Sequence, residues 1–303
     1  MGAFRLRLPA TSANLGAAFD CAAVALDFHL TIEAEQAEAF SIEATGEDAA
    51  LCSQIENNLI LETYRSLLAR EGKPAPSLAI RMENGIPLGM GCGSSAAGRL
   101  AAVALASHFG RLGWDSDRIL AEACALEGHP DNAAACWLGG MVVAAIEGDR
   151  VHAAKVAPPA QWRAMVVLPA NPLATSKARA VLPEQYSRAD AVANIQAASL
   201  LGLAFAQGRG DLLRPAMQDR LHQPYRAKIC PLLPVLLPLA GSAGILGVAL
   251  SGAGPSVLLI LEGIEAAPGA TDAVSAAIAD QPGARILTVA FDAEGASRCW
   301  AEL

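Results

Sequence analysis

The chain has 303 residues, a formal net charge of −8, and a composition that is 53% hydrophobic and 17% charged. That length suits one large or two medium domains around a sizeable core, and the composition is too apolar for a disordered chain. An acidic balance with no basic footprint excludes the ordinary nucleic-acid binder, so no nucleic-acid partner is expected.

In chain order, strand patterns occur at 3–8, 27–35 and 39–45. A helix near 57–71 follows, and then an alternating segment, SLAIRM, at 77–82. A glycine-rich stretch leads into a helix from Ser94 to Phe109, and a second helix spans 115–126 with Ser116 as candidate N-cap. MVVAAI (141–146) and AMVVLPA (164–170) read as strands, and 189–207 and 209–218 as helices. Strands at 245–250 and 256–261, a helix at 271–281 and a strand at 285–290 close a split β-α-β arrangement. The pattern is α+β in two lobes, with the boundary expected near 150–163, where Pro158-Pro159 interrupts it.

The seven cysteines are scattered without a CxxC pair, which suits reduced thiols and a cytoplasmic location. FRLRLPA at the start alternates like a strand and does not resemble a signal sequence. Cys230 to Leu261 contains no charged residue and is long enough to span a bilayer, but its prolines and glycines break it. It reads as a short helix, a buried strand, a turn and a second strand, so no membrane partner is expected.

Four polar constellations could carry chemistry. The first, and most informative, is PLGMGCGSSAA: Pro87, Leu88, Gly89, Met90, Gly91, Cys92, Gly93, Ser94, Ser95, Ala96 and Ala97. Glycines at alternate positions let backbone approach a ligand, and the helix that follows offers free N–H groups and a positive dipole end, which is an anion site. It is not a Walker A loop, since no lysine occurs between residues 74 and 154. Gly91 to Ala96 matches GxGxxA, but the preceding strand ends too early for a Rossmann turn. A glycine loop with no ligand is the bland alternative. Cys92 has no base beside it in sequence, which argues against a nucleophile.

The second is EGHPDN, Glu127 to Asn132, where a carboxylate could hold Mg²⁺; the competing reading is a helix end with Gly128 at its cap and an Asx turn at Asp131. The third is PATSANLGAAFD (9–20), in which Asn14 and Asp20 bracket a polar turn. The fourth is SGAGPS, where Gly252 and Gly254 form either a tight hairpin or a second backbone approach to phosphate.

Taken together and in this order, the four constellations resemble the GHMP family of small-molecule kinases over roughly residues 4–300. The resemblance is to the branch that acts on the amino acid L-homoserine. It implies a two-lobed α+β fold, with a ribosomal S5 domain 2-like N-terminal lobe and a ferredoxin-like C-terminal lobe. It divides the chain into an ATP-binding domain at 1–155 and a C-terminal domain at 156–303.

It also implies ATP-dependent phosphorylation of the L-homoserine side-chain hydroxyl, in threonine biosynthesis. ATP would lie on Pro87 to Ala97 with Gly252 and Gly254. Mg²⁺ would be held by Ser95 and Glu127, which with Asn132 form the catalytic set. The amino-acid pocket would use Asn14, Asp20, His129, Asn132, Thr175, Arg179 and Arg226, the last three within ATSKARAVLP and QPYR. Two guanidinium groups suit a carboxylate, Asp20 an ammonium, and Asn132 the hydroxyl. No dedicated base is expected, since phosphoryl transfer asks mainly for positioning and charge neutralisation. A homodimer is compatible with the resemblance.

The chain departs from the family pattern at Ala17, Ala18, Met90, Cys92, Ala133 to Ala135 and Gln223. Competing readings are a GHMP kinase for another alcohol such as mevalonate, a non-catalytic nucleotide-binding protein on the same scaffold and, more distantly, a dehydrogenase.

Overall fold

The computed structural model describes residues Phe4–Ala296. Cys299, one of the cysteines expected to be reduced, lies outside them; the other six are free thiols.

The first half forms a six-stranded sheet with helices against it. Its elements are β1 (Phe4–Ala13), β2 (Ala22–Gln36), β3 (Ser41–Gly46), α1 (Ala49–Cys52), α2 (Leu59–Arg70), β4 (Leu78–Asn84), α3 (Ser94–Phe109), α4 (Ser116–Glu127), α5 (Asp131–Leu138), β5 (Met141–Glu147) and β6 (Arg150–Val156). The sheet runs β3-β4-β2-β5-β6, with β1 paired to β2. All pairings are antiparallel except β3 with β4. The helix α3 is buried along most of its length, and its run of alanines lets it sit close against β1 between α2 and α4.

The second half comprises β7 (Arg163–Leu168), α6 (Thr175–Ala180), α7 (Arg188–Gln207), α8 (Leu213–Ala216), α9 (Gln223–Arg226), α10 (Leu232–Leu236), β8 (Ile245–Leu250), β9 (Val257–Leu261), α11 (Ala267–Ala277) and β10 (Arg285–Val289). The strand order β10-β7-β9-β8 is the ferredoxin-like order. Side chains along β7 alternate between two cores. Ala164, Val166 and Leu168 join the main core, while Met165 and Val167 face α10 and α11. Among the described helices only α7 is long and apolar enough to cross a membrane by length and composition. It buries Leu201, Ala204 and Phe205 against the core while Val192, Ile195 and Leu203 stay exposed.

The charge-free region from Cys230 to Leu261 is a short helix and two buried strands, as its prolines and glycines indicate.

Four local expectations need correction. The polar run PATSA is the continuation of β1, because a bulge between Pro9 and Ala10 resets its pairing with β2. EGHPDN is more than a helix end. Gly128, at φ 80°, closes α4, and a new helix starts at Asp131, whose Oδ1 accepts the Asn132 N–H at 2.7 Å. Residues 150–156, where the lobe boundary was expected to begin, form β6, a hairpin partner of β5 across Gly148-Asp149. The N-cap of α4 is Asp115, which accepts the Arg118 N–H at 2.8 Å; Ser116 Oγ instead accepts the Trp137 indole N–H.

Candidate active site

A cleft of about 330 Å³ opens where the glycine loop, the start of α5, the loop after β1 and the β8–β9 connection meet. Of the residues predicted to contact substrate or metal, all line it: Asn14, Asp20, Ser95, Glu127, His129, Asn132, Thr175, Arg179 and Arg226. From the predicted nucleotide loop, Gly89, Gly91, Gly93, Ser94, Ser95, Ala96, Gly252 and Gly254 line it, whereas Pro87, Leu88, Met90, Cys92 and Ala97 do not. Cys92 is fully buried and burial pushes its thiol up to about 12, so it stays a neutral thiol there.

At one end the cleft is built from backbone. Gly93 caps α3 at φ 75° with no side-chain capping bond, and Ser94, Ser95 and Ala96, whose N–H groups lie in the unsatisfied first turn, face the cavity. A Cβ at Gly93 would collide with Thr11 Oγ1, and one at Gly91 with the backbone carbonyls of Ser251 and Gly254. The loop is tied down on three sides. Thr11 N donates to Cys92 O at 3.0 Å, Leu173 N to Gly89 O at 2.9 Å, and Ser251 Oγ to Gly91 O at 2.7 Å. Such a rigid cradle of amides at a helix start has the chemistry to accept a phosphate group without lysine.

Beside the cradle, Ser95 Oγ donates to Glu127 Oε1 at 2.7 Å. Arg99, one turn further along α3, places its Nε 2.6 Å from the same oxygen. The sequence reading missed Arg99. Its signal was the i+4 spacing from Ser95, which puts both side chains on one face of a helix.

At the other end the cleft is built from charged side chains. Arg179 grips Asp20 with two hydrogen bonds, Nη1 to Oδ2 at 3.0 Å and Nη2 to Oδ1 at 2.8 Å. That hydrogen-bonded pairing raises the Arg179 pKa. Arg226 differs. It is 1% exposed, and its contacts are all neutral: Nε donates to Ala178 O at 3.0 Å, and Nη1 to His222 Nδ1 at 3.2 Å and Gly252 O at 3.3 Å. Burial, with Arg179 nearby, lowers its pKa. No carboxylate of the described residues forms an ion pair with it. His222 is kept neutral chiefly by burial, with Nε2–H donated to Gly16 O at 2.8 Å and Nδ1 left to accept from Arg226. Both guanidinium groups lie near the Phe19 ring, at 5.7 and 5.4 Å from its centroid.

His129 Nδ1 is 2.6 Å from Asp131 Oδ1. Burial works against the imidazolium, yet the bond to Asp131 and its field outweigh burial, and the net shift of the His129 pKa is upward. Asp131 itself is 1% exposed, and the oxygen shared between His129 and the Asn132 N–H is committed. Asn132 Oδ1 accepts from Thr11 Oγ1 at 2.7 Å, a contact the sequence reading did not anticipate. Asn14 lines the cleft, but its amide braces the site: Nδ2 donates to Gly252 O at 2.7 Å and Oδ1 accepts the Asp20 N–H at 2.9 Å.

The departures from the family pattern leave this geometry intact. Ala17 and Ala18 are buried in a turn held by Ala18 N to Asn14 O at 2.9 Å and Asn194 Nδ2 to Ala17 O at 2.7 Å. Gln223 is buried, and its Oε1 accepts the Leu250 N–H at 2.7 Å, so a neutral amide does that job without burying a charge.

A second, more apolar cavity of about 340 Å³ adjoins the cradle through Ser94 and Ser95, with Leu59, Ile60, Met82 and Leu88 among its walls. Its polar rim includes Gln54 and Asn57.

The GHMP kinases N terminal domain matches residues 58–140, and GHMP kinases C terminal matches 203–280. The curated homoserine kinase of Solibacter usitatus is 44% identical over 260 residues, covering 86% of this chain and 85% of that protein. The chain belongs to the GHMP kinase family. A second GHMP kinase relative, the homoserine kinase of Desulfitobacterium hafniense, is 37% identical over 298 residues and covers 97% of this chain and 99% of its own. Among solved structures, the homoserine kinase from Cytophaga hutchinsonii superposes with a TM-score of 0.82 at 25% identity, covering 97% of this chain and 96% of that one. The L. major mevalonate kinase shares the fold with a TM-score of 0.71 at 14% identity, covering 95% of this chain and 96% of that one.

Proposed function

We propose that this GHMP kinase is a homoserine kinase, transferring the γ-phosphoryl group of ATP to the side-chain hydroxyl of L-homoserine for threonine biosynthesis. The observation that carries the reading is Arg226. A desolvated guanidinium with only neutral partners, at the wall of an open cleft, is stabilised by an incoming anion. Arg179 stands beside it, so a substrate carboxylate has two planar donors. Asp20 then supplies the counter-charge for an ammonium group, which an amino acid has and mevalonate lacks.

The base of ATP fits the apolar second cavity, the phosphates the cradle at Gly89 to Ala96 with Gly252 and Gly254, and the acceptor the charged end. The division of labour is an ATP-binding domain at 1–155 and a C-terminal domain at 156–303 that brings Arg179 and Arg226. Ser95 Oγ and the Glu127 carboxylate are hard oxygen donors 2.7 Å apart beside the cradle, a set that suits Mg²⁺. Bound there, Mg²⁺ would neutralise phosphate charge.

The chain's own groups do the rest. Loop amides hold the phosphoryl oxygens in a fixed field. Asn132, oriented by Thr11, turns the acceptor hydroxyl toward them. Asp131 is tied to His129 and Asn132, which supports transfer without a dedicated base. Asp131→Asn abolishing phosphoryl transfer with fold and substrate binding intact would overturn the base-free reading. The enzyme is read as a soluble cytoplasmic protein, and a homodimer is compatible with it.

The deciding experiment is ADP release with ATP and Mg²⁺, comparing L-homoserine with mevalonate, L-serine, L-threonine and no acceptor. Turnover with L-homoserine is expected. Turnover with mevalonate instead would keep the kinase and remove the substrate assignment.

A further inference from the structure

The carboxylate read as a metal ligand is already neutralised by a cation of the protein. Glu127 ends α4 with a side chain only 9% exposed, and one oxygen, Oε1, faces both Ser95 Oγ at 2.7 Å and Arg99 Nε at 2.6 Å. A carboxylate this enclosed is costly to hold without a positive partner, and Arg99 is the cation nearest to it. The spacing makes the arrangement stiff at one end. Ser95 and Arg99 are one turn apart on a buried helix, so their Cα positions relative to Glu127 are fixed. The Arg99 head is free at the other end, since its side chain is 27% exposed and lines the cleft.

A divalent ion seated between Ser95 and Glu127 would meet the Arg99 charge across a few ångströms. Like charges at that distance in a partly enclosed site repel strongly. The guanidinium can relieve the conflict by turning into the cleft, where triphosphate oxygens suit its planar donor fork.

We propose that Arg99 is a positioning residue that competes with the divalent cation for Glu127, so that the site takes up metal well only together with nucleotide. The inference rests on the assignment of Ser95 and Glu127 as metal ligands. It goes beyond that assignment by making metal uptake conditional on phosphate.

The test is direct metal binding, not turnover. Mn²⁺ binding would be followed by electron paramagnetic resonance of the free ion, with and without a non-hydrolysable ATP analogue. In the absence of nucleotide, Arg99→Met is expected to bind Mn²⁺ roughly tenfold or more tightly than the unaltered protein, because a repelling charge has gone. Arg99→Lys, which keeps the charge, is expected to stay near the unaltered protein. With the ATP analogue present, the gap between Arg99→Met and the unaltered protein should shrink.

Unchanged or weaker Mn²⁺ binding in Arg99→Met overturns the proposal, and so does equal tightening in both variants. Arg99→Lys also guards against a trivial folding loss, since it preserves the charge at the same position. Glu127→Gln separates the premise from the inference. Undiminished Mn²⁺ binding in Glu127→Gln would remove the metal assignment itself, and the role of Arg99 with it.

Discussion

The two ends of the cleft are built on opposite principles. The end proposed for phosphate is backbone: glycines, free helix N–H groups and carbonyls pinned at 2.7–3.0 Å by neighbouring segments. The end proposed for the acceptor is side chain: Asp20 from the loop after β1, His129 before α5, Arg179 on α6 and Arg226 on α9. The first end offers N–H groups of an uncapped first helical turn, whereas the second holds a buried cation that no described carboxylate pairs. A backbone site gains rigidity and gives up choice, which suits a phosphate group common to many reactions. A side-chain site can be charged to match one acceptor, at a cost to the empty protein.

The largest expected effect tests the uncompensated charge. Arg226→Met should lower kcat/KM for L-homoserine by about a thousandfold, the scale for losing one member of a desolvated charge pair. Thermal unfolding of the empty protein should show no loss of stability, because the variant removes a buried cation that lacks an anion. A midpoint several degrees lower would show that Arg226 serves the fold through Ala178 and Gly252, and the contrast between the two ends would fail. Next in size is Gly93→Ala, which strains a residue at φ 75° and drives a methyl group into Thr11. ATP affinity should fall by about a hundredfold through the strain and the displaced cradle. Acceptor binding by calorimetry should change far less; an equal loss at both ends would show that they are not separable.

The same contrast decides what could be read from sequence. The backbone end is largely contiguous, and alternate glycines followed by a helix announce an anion-site geometry locally, so Gly89, Gly91, Gly93, Ser94, Ser95 and Ala96 could be placed at the cleft from local physics. The acceptor end assembles residues from position 14 to position 226, and for either arginine alone a solvated surface charge is the better local reading. Only the resemblance brought them together.

The misses have local causes. EGHPDN hides the start of α5 because Gly128 in the left-handed region separates two helices that read as one end. β6 carried a legible signal, the two-residue Gly148-Asp149 turn between alternating segments, but Pro158-Pro159 outweighed it. Thr11 touches Asn132 across 121 residues, which a single sequence does not reveal, whereas the i+4 spacing of Arg99 from Ser95 was a weak local signal.

A smaller effect comes from Asp20→Asn. The variant breaks the two-bond grip on Arg179 and removes the counter-charge for an ammonium group. KM for L-homoserine should rise about tenfold, in keeping with loss of a hydrogen bond to a charged group. Stability should barely change, because the Asp20–Arg179 pair is partly exposed and ion pairs of that kind contribute little. A large stability loss would make Asp20 part of the framework that aims Arg179 and blur the line between site and scaffold.

The smallest expected effect lies outside both ends, at a pair with the opposite design: closed, and structural. His29 on β2 meets Asp292, beyond β10, with Nε2 to Oδ2 at 2.7 Å, while Arg7 Nη2 approaches His29 Nδ1 at 2.9 Å. The Asp292 carboxylate also accepts the N–H groups of Glu294 and Gly295. Burial works against its charge, but the bond from His29 and these amides outweigh it and hold its pKa below the ordinary value of 3.8. The sign follows from that direction. Asp292 contributes stability at pH values above the unfolded value near 3.8, and that contribution is lost as pH falls through the depressed folded value. Asp292→Asn should therefore cost about 1.5–3 kcal/mol at pH 7, the scale for a hydrogen bond to a charged group. The difference from the unaltered protein, read by urea unfolding, should narrow below about pH 4, where the unfolded carboxyl protonates. A gap that stays constant down to pH 3 would mean that shape, not charge, joins these segments. The buried, unpaired Arg226 would then be the stronger case for charge held in reserve for a ligand.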